Sequence, residues 1–504
     1  MILVPVLLFF AVLAALSLWT ERRRSLPLEE TGGGAGFSRE YFLGSRSLQG
    51  VVLAMTLTAT YGSVSTFVSG PGIAWNLGLG WVVFAAPQII AGFFILGLLG
   101  KKMALVSRAV GAVTVVDLLR ARFRSPVFAT LAALSMLVFF TTMMVGQFAG
   151  GAAIFAEVTG GSTIQGLLLF GLLTVFYTTF GGFRAVAVTD ALCALLMVLG
   201  MVLLAGDIVS EAGGFAEAMR AAAAASPDAE AYLSFDAGGA LPLSLLFSAW
   251  ILVGFGTAGL PQSAVRCMSY RSTEDLHRAM WVSTVVCGAL MIGMTLIGVL
   301  ARGVFAVSPE SLGTTDRMIP RLIAEHMSPV AAGITLIGPL AATMSTVSSL
   351  LIAASSAVVK DLLLNARPEW AAPGNERRLR FAAKGTTLVL GLAATLFAID
   401  PPDLIAWINL AAFAGLELTF LLPLAAGLFW RRANSAGALA GAISGVGFYG
   451  VLLVWKPDLA GWHPIVPAFA VSILAFVAGS FLGRPEAPER LRYFFPNNSR
   501  NRRA

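Results

Sequence analysis

The sequence predicts an all-α membrane protein of about 13 transmembrane helices whose core is two inverted five-helix repeats preceded by one extra N-terminal helix. Three observations carry this expectation. Apolar runs of membrane-crossing length recur from end to end, basic residues sort onto alternate loops, and two runs five apart are interrupted by glycine, proline and hydroxyls.

The 504 residues are 57% hydrophobic and 12% charged, with a mean hydropathy of +0.82. That is about half the charge a soluble chain carries on its surface. A hydrocarbon core ~30 Å thick takes about 20 apolar residues to cross as a helix. Such runs lie at 2–20, 48–75, 78–100, 126–156, 162–180, 185–206, 240–265, 277–301, 330–358, 382–400, 404–429, 434–455 and 463–483. They are numbered here as spans 1 to 13. Arg22, Arg23 and Arg24 follow the first run rather than precede it. This marks a retained span with its N-terminus outside, not a cleaved leader.

With that orientation, only Arg220, Arg302, Arg317, Arg321 and Lys456 of the 34 Lys and Arg fall on external segments. The positive-inside rule demands such a bias, and an extra or missing span would scramble it. The formal charge of +7 therefore reports orientation, with a cytoplasmic C-terminus, and not a nucleic-acid partner. Cys193, Cys267 and Cys287 form no CxxC pair, and His277, His326 and His463 are scattered. Neither a metal centre nor a catalytic constellation is implied, so an enzyme is not expected.

The organisation follows. Residues 1–47 are an N-terminal span and cytoplasmic loop, 48–206 the first repeat (spans 2–6), and 207–239 an external loop. Residues 240–455 hold the second repeat (spans 7–11) and span 12, and 456–504 the last span with a basic cytoplasmic tail. The acidic, Ala-rich external loop reads as a short surface helix, and the segment 303–329 as another. Gly32–Gly34 and Gly36 follow no strand, so they read as loop rather than phosphate cradle. The Asn497-Asn498-Ser499 sequon, in the tail, is expected to be inert.

Span 2 reads MTLTATYGSVSTFVSGPG (Met55–Gly72) and span 7 GFGTAGLPQSAVR (Gly254–Arg266). Glycine and proline are common in membrane helices, where neighbours satisfy the freed backbone. Two interruptions five spans apart instead match inverted repeats that each open with a discontinuous helix, the usual site of ion and substrate in transporters. In span 9, Ala342, Ser345, Thr346 and Ser349 share one face at i, i+3, i+4, i+7 spacing. Ser348 falls on another. Small residues on that face allow close packing, and their hydroxyls then reach span 2.

These same residues carry a resemblance. YFLGSRS (Tyr41–Ser47), AMTLTAT, GGFRAVAVTD (Gly181–Asp190), AATMST (Ala341–Thr346) and GLFWRRANSAGALAG (Gly427–Gly441) are similar, in order, to the sodium:solute symporter family. GLPQSAVRCMSY (Gly259–Tyr270), WINLAAFAGLE (Trp407–Glu417) and GWHPIVP (Gly461–Pro467) resemble its bacterial branch that carries pantothenate. The resemblance implies an inverted-repeat transporter fold of the APC/LeuT type and secondary symport at a bacterial inner membrane. The coupling ion would be Na+, and the substrate a small organic anion, pantothenate. The alternative is another small carboxylate or amino acid such as proline. The proline branch has an aspartate where this chain has Tyr61.

For sodium, the resemblance implies the carbonyls of Ala59, Gly62 and Ala342 and the hydroxyls of Ser345 and Thr346. Five neutral oxygens replace much of a hydration shell, and none titrates. Asp190 is the candidate for a second cation; otherwise it caps a helix or pairs with Arg184. One turn beyond the sodium carbonyls, Tyr61, Ser63 and Thr66 are substrate candidates, joined by Gln147, Gln262 and Asn409. Glu417 stands inside span 11, where a carboxylate costs roughly 2.5–3.5 kcal/mol and usually faces the bundle interior; a substrate-contact or proton-sensing role is expected ahead of a buried structural pair. No Lys or Arg is expected mid-span, so a substrate carboxylate would rest on helix-end amides or on the ion. The tail after residue 483 is too short for a signalling domain, and the oligomeric state is not encoded legibly.

Overall fold

The computed structural model describes residues 2–24, 34–305, 307, 312–372, 374–400 and 405–496. Among them, ten helices are long and apolar enough to cross a membrane, and two further helix pairs qualify as bent crossings, giving 12. One of the ten, Thr163–Glu211, has 49 residues. At 1.5 Å per residue it is about 73 Å long, more than twice a hydrocarbon core. It breaks at Gly182 (φ 65°, ψ −179°), a conformation open essentially to glycine alone. That break divides it into the predicted spans 5 and 6 and completes the expected 13.

The bent pairs are the two interrupted runs. Gly50–Tyr61 meets Ser65–Leu77 at 67°, and Leu243–Gly259 meets Pro261–Met268 at 48°. In the first, Gly62 is extended (ψ 125°), so the helical ladder stops and its carbonyls point into the bundle. In the second, Gly254 leaves the helical region and Pro261 restarts it, needing no N–H at the first helical position. The two broken spans are tied at one end. Leu48 N–H donates to Ser269 O (3.1 Å), Arg271 N–H to Leu48 O (3.0 Å), and Gly50 N–H to the Asp275 carboxylate (2.8 Å).

The remaining crossings have recognisable ends. Ser125, Ser162, Ser272 and Asn434 each cap a helix through a side-chain oxygen, Ser162 with Gln165 as a capping box. Span 10 is observed as Glu376–Phe397, six residues ahead of the predicted start. Its charged first turns lie beyond the apolar run, yet the backbone stays helical through them. Two short helices, Phe215–Ala224 and Ala229–Leu233, cover the 207–239 segment, and Met318–His326 lies within 303–329. Tyr232 donates to Val299 O (2.9 Å), pinning that cover to span 8.

Several expectations are corrected. Gly34 and Gly36 belong to the helix Gly34–Leu43, not a loop, while Gly32 and Gly33 lie outside the described residues, as does the Asn497–Ser499 sequon. Arg266, Arg122 and Arg302, counted as loop cations, are buried. Arg122 donates to the carbonyls of Gly427 (2.8 Å) and Ala433 (2.9 Å), so its charge sits at the carbonyl end of the helix Ile405–Phe429.

Candidate functional site

At the span 2 break, the helix Gly50–Tyr61 ends with the carbonyls of Ala59 and Gly62 released from the helical ladder. The helix Pro329–Ser356 passes close by on its small-residue face, where Ala342, Ser345 and Thr346 are all fully or almost fully buried. The Ser345 hydroxyl lies 2.9 Å from Ala59 O and 3.1 Å from Ala342 O. The Thr346 hydroxyl lies 2.9 Å from both Gly62 O and Ala342 O. The five oxygens singled out in the sequence thus converge. Each hydroxyl has one proton to share between two carbonyls, and by rotating that proton away it offers a lone pair instead. The cluster is a neutral, all-oxygen cage suited to a small hard cation.

Towards the ends of the broken spans lies a second polar cluster. Asp190 is fully buried and accepts from Arg266 (3.1 Å), Thr56 (2.9 Å) and Ser349 (3.2 Å). The Arg266 guanidinium also donates to Ser349 (2.9 Å), to Thr56 (3.0 Å) and to the Gln262 carbonyl, and Thr60 meets Ser349 at 3.0 Å. The partner of Asp190 is therefore Arg266, not Arg184, which is exposed. Spans 2, 6, 7 and 9 meet in this one ion-paired network. Ser348, placed on another face by the sequence, is also buried and donates to the Ser345 carbonyl (3.0 Å), within 3.5 Å of Asp190.

Beside the break lies a cleft. Tyr61, Ser63, Thr66 and Asn409 line it, joined by residues the sequence did not reveal, among them Trp81, Gln88 and Met291. None of its lining side chains is charged. Trp81 stacks on Phe84 at 4.4 Å to form an aromatic wall. Tyr61 donates to Val253 O at 2.6 Å, joining the break of span 2 to that of span 7.

The other predicted substrate residues stand elsewhere. Gln147 accepts from the backbone N–H of Val64 (3.0 Å) and donates to Asn409 (3.3 Å), bracing the break from behind the cleft wall. Gln262 is buried beside Pro261 and does not line the cleft, and its side-chain oxygen has no partner among the described residues. Glu417 is fully buried outside the cleft, packed against Gly256, where an added Cβ would come within 2.6 Å of its carboxylate. Neither of its oxygens has a hydrogen-bond partner among the described residues. The missed residues have little signature: Trp81 and Met291 look like any apolar residue in an apolar run. Arg266 alone carried one, as a cation at the edge of an interrupted span.

Comparison with known proteins finds relatives along almost the whole chain. The profile of the sodium:solute symporter family matches residues 41–445. The chain is 43% identical over 482 residues to the sodium/pantothenate symporter of Escherichia coli (strain K12), covering 96% of each. It is 40% identical over 447 residues to the sodium/pantothenate symporter of Haemophilus influenzae, covering 89% of this chain and 91% of that one. In fold it is similar to a substrate-bound, outward-open Na+-coupled sialic acid symporter, with a TM-score of 0.78 at 19% identity, covering 95% of this chain and 98% of the other.

Proposed function

Because this chain belongs to the sodium:solute symporter family, we propose that it couples sodium entry to the uptake of pantothenate across the bacterial inner membrane. The observation that carries this reading is the adjacency of cage and cleft. Ala59 and Gly62 turn carbonyls to the cage while Tyr61 and Ser63, interleaved with them, line the cleft. An ion that fixes the break therefore fixes the wall the substrate meets, and the coupling runs equally in reverse.

Pantothenate presents one carboxylate, an amide and hydroxyls. The hydroxyls of Tyr61, Ser63 and Thr66 and the amide of Asn409 suit the neutral groups. The uncharged cleft leaves the carboxylate to the half-helix starting at Ser65 and to the ion itself. In this reading Gln147 holds the break, and Glu417 acts on the substrate through the span 7 break rather than by direct contact. Asp190 has its charge answered by Arg266, so its role is a brace between spans, and a second cation there would have to compete with the guanidinium. The N-terminus lies outside and the C-terminus in the cytoplasm, on the charge sorting alone.

Binding of labelled pantothenate to the purified protein in sodium or in potassium tests this. Sodium should raise the affinity at least tenfold, and proline in excess should not displace the label. Equal binding in both salts would remove the coupling; displacement by proline would move the substrate to the amino-acid alternative.

A further inference from the structure

Where span 3 ends, the apolar run Phe93–Gly100 gives way at once to Lys101 and Lys102. Where the helix Ile405–Phe429 ends, Arg431 follows two residues later. These cations therefore stand at the edge of the hydrocarbon, on the face assigned above to the cytoplasm. The C-terminal segment folds back over them. Phe494 is buried, and Phe495 N–H donates to Leu491 O (2.7 Å). Lys102 Nζ lies 4.5 Å from the centre of the Phe495 ring and 4.7 Å from that of Phe429, and the Arg431 guanidinium lies 5.4 Å from Phe495.

The result is an open cleft lined by Lys101, Lys102 and Arg431 together with Leu98, Leu105 and Phe429. Among the described residues, no carboxylate pairs with any of the three cations, whereas Arg266, Arg271, Arg317, Arg321 and Lys360 each have one. Aromatic faces steady a cation but do not neutralise it. Three like charges converging on one cleft leave an unanswered field. Leu98 is 49% and Leu105 57% exposed, so the apolar wall continues onto the lipid-facing surface.

We propose that this cleft binds the headgroup of an anionic phospholipid, its phosphate among Lys101, Lys102 and Arg431 and an acyl chain along Leu98 and Leu105. A soluble anion would satisfy the cations and leave the apolar wall bare. A zwitterionic headgroup would bring its own ammonium against three positive charges. Basic pockets at the cytoplasmic ends of membrane helices select anionic lipid on these grounds, each cation contributing by attraction to the headgroup.

The test is native mass spectrometry of the full-length protein in detergent, titrated with phosphatidylglycerol or phosphatidylcholine, with and without inorganic phosphate. Phosphatidylglycerol should be retained preferentially and resist competition by phosphate. Lys101→Gln and Arg431→Gln should each weaken it about fivefold, while Arg431→Lys retains it. The exposed pair Arg377→Gln/Arg378→Gln, elsewhere on the basic face, should leave binding unchanged. Lys101 is exposed, so its substitution reads binding even if Arg431→Gln fails to fold. Equal retention of both lipids, equal loss in the Arg377/Arg378 variant, or full displacement by phosphate would overturn the proposal.

Discussion

The Thr346 hydroxyl sits between two carbonyls of different helices, and that position decides what its loss does. Thr346→Ala keeps the close packing and deletes one of five oxygens. A loss of about 1–3 kcal/mol, the cost of an unmet buried partner, raises the sodium concentration for half-maximal uptake about five- to a hundredfold. At saturating sodium the substrate affinity should return to normal, because in the proposed site the substitution touches only the ion. Ser345→Ala should behave alike. Ser348 is not a neutral control, since it bonds to the Ser345 carbonyl; Ser355, which donates to Ala383 O on span 10, is one. Sodium dependence unaltered at both Ser345 and Thr346, or altered equally at Ser355, would leave that face a packing surface. Glu417→Gln keeps the shape beside Gly256 and removes the ionisable carboxyl. It should shift pantothenate half-saturation or its pH profile; if uptake is unchanged in both, the carboxylate only packs. The hydroxyl face of span 9 was legible in its helical spacing, whereas the span 2 carbonyls it meets were implied by the family resemblance and not by any pattern of residues. The cleft was less legible. Gln147 and Gln262 look like pocket residues in sequence, but bracing and lining differ only in which way a side chain turns.

At the scale of elements, the broken spans are held by the Arg266–Asp190 pair and its hydroxyls. Taking one partner away strands a buried charge, at a cost of about 3–5 kcal/mol. Arg266→Gln and Asp190→Asn should each lower the melting temperature and yield of folded protein, and the double variant should be less destabilised than their sum. Additive losses would mean the two do not act as a pair. This network was not legible. Arg266 and Asp190 lie 76 residues apart, and although Arg266 is visible as a cation at the edge of an interrupted span, nothing in the sequence says which carboxylate it meets. Gly182 is the converse case. The apolar runs placed the boundary between spans 5 and 6 at 180–185, and the backbone at Gly182 explains why the chain turns there. Gly182→Ala should cost about 1–3 kcal/mol of stability, read in the same melting assay, while Gly206→Ala, with open space around its Cβ, should not destabilise the fold.

For the whole molecule, the alternation of charge and apolar length gave the span count because both are sums over many residues, insensitive to any single misplacement. Arg122, Arg266 and Arg302 turned inward without disturbing it. A reporter fused after residue 484 should therefore read as cytoplasmic and one within 207–240 as external. If a sodium gradient drives pantothenate through this fold, uptake of labelled pantothenate into proteoliposomes will follow that gradient. With an inward sodium gradient the label should accumulate above its external concentration. It should collapse to equilibration when sodium is equal on both sides, and Thr346→Ala should restore accumulation only at raised sodium. Accumulation of the same size without a sodium gradient, or none with it, would mean that sodium does not drive pantothenate through this protein.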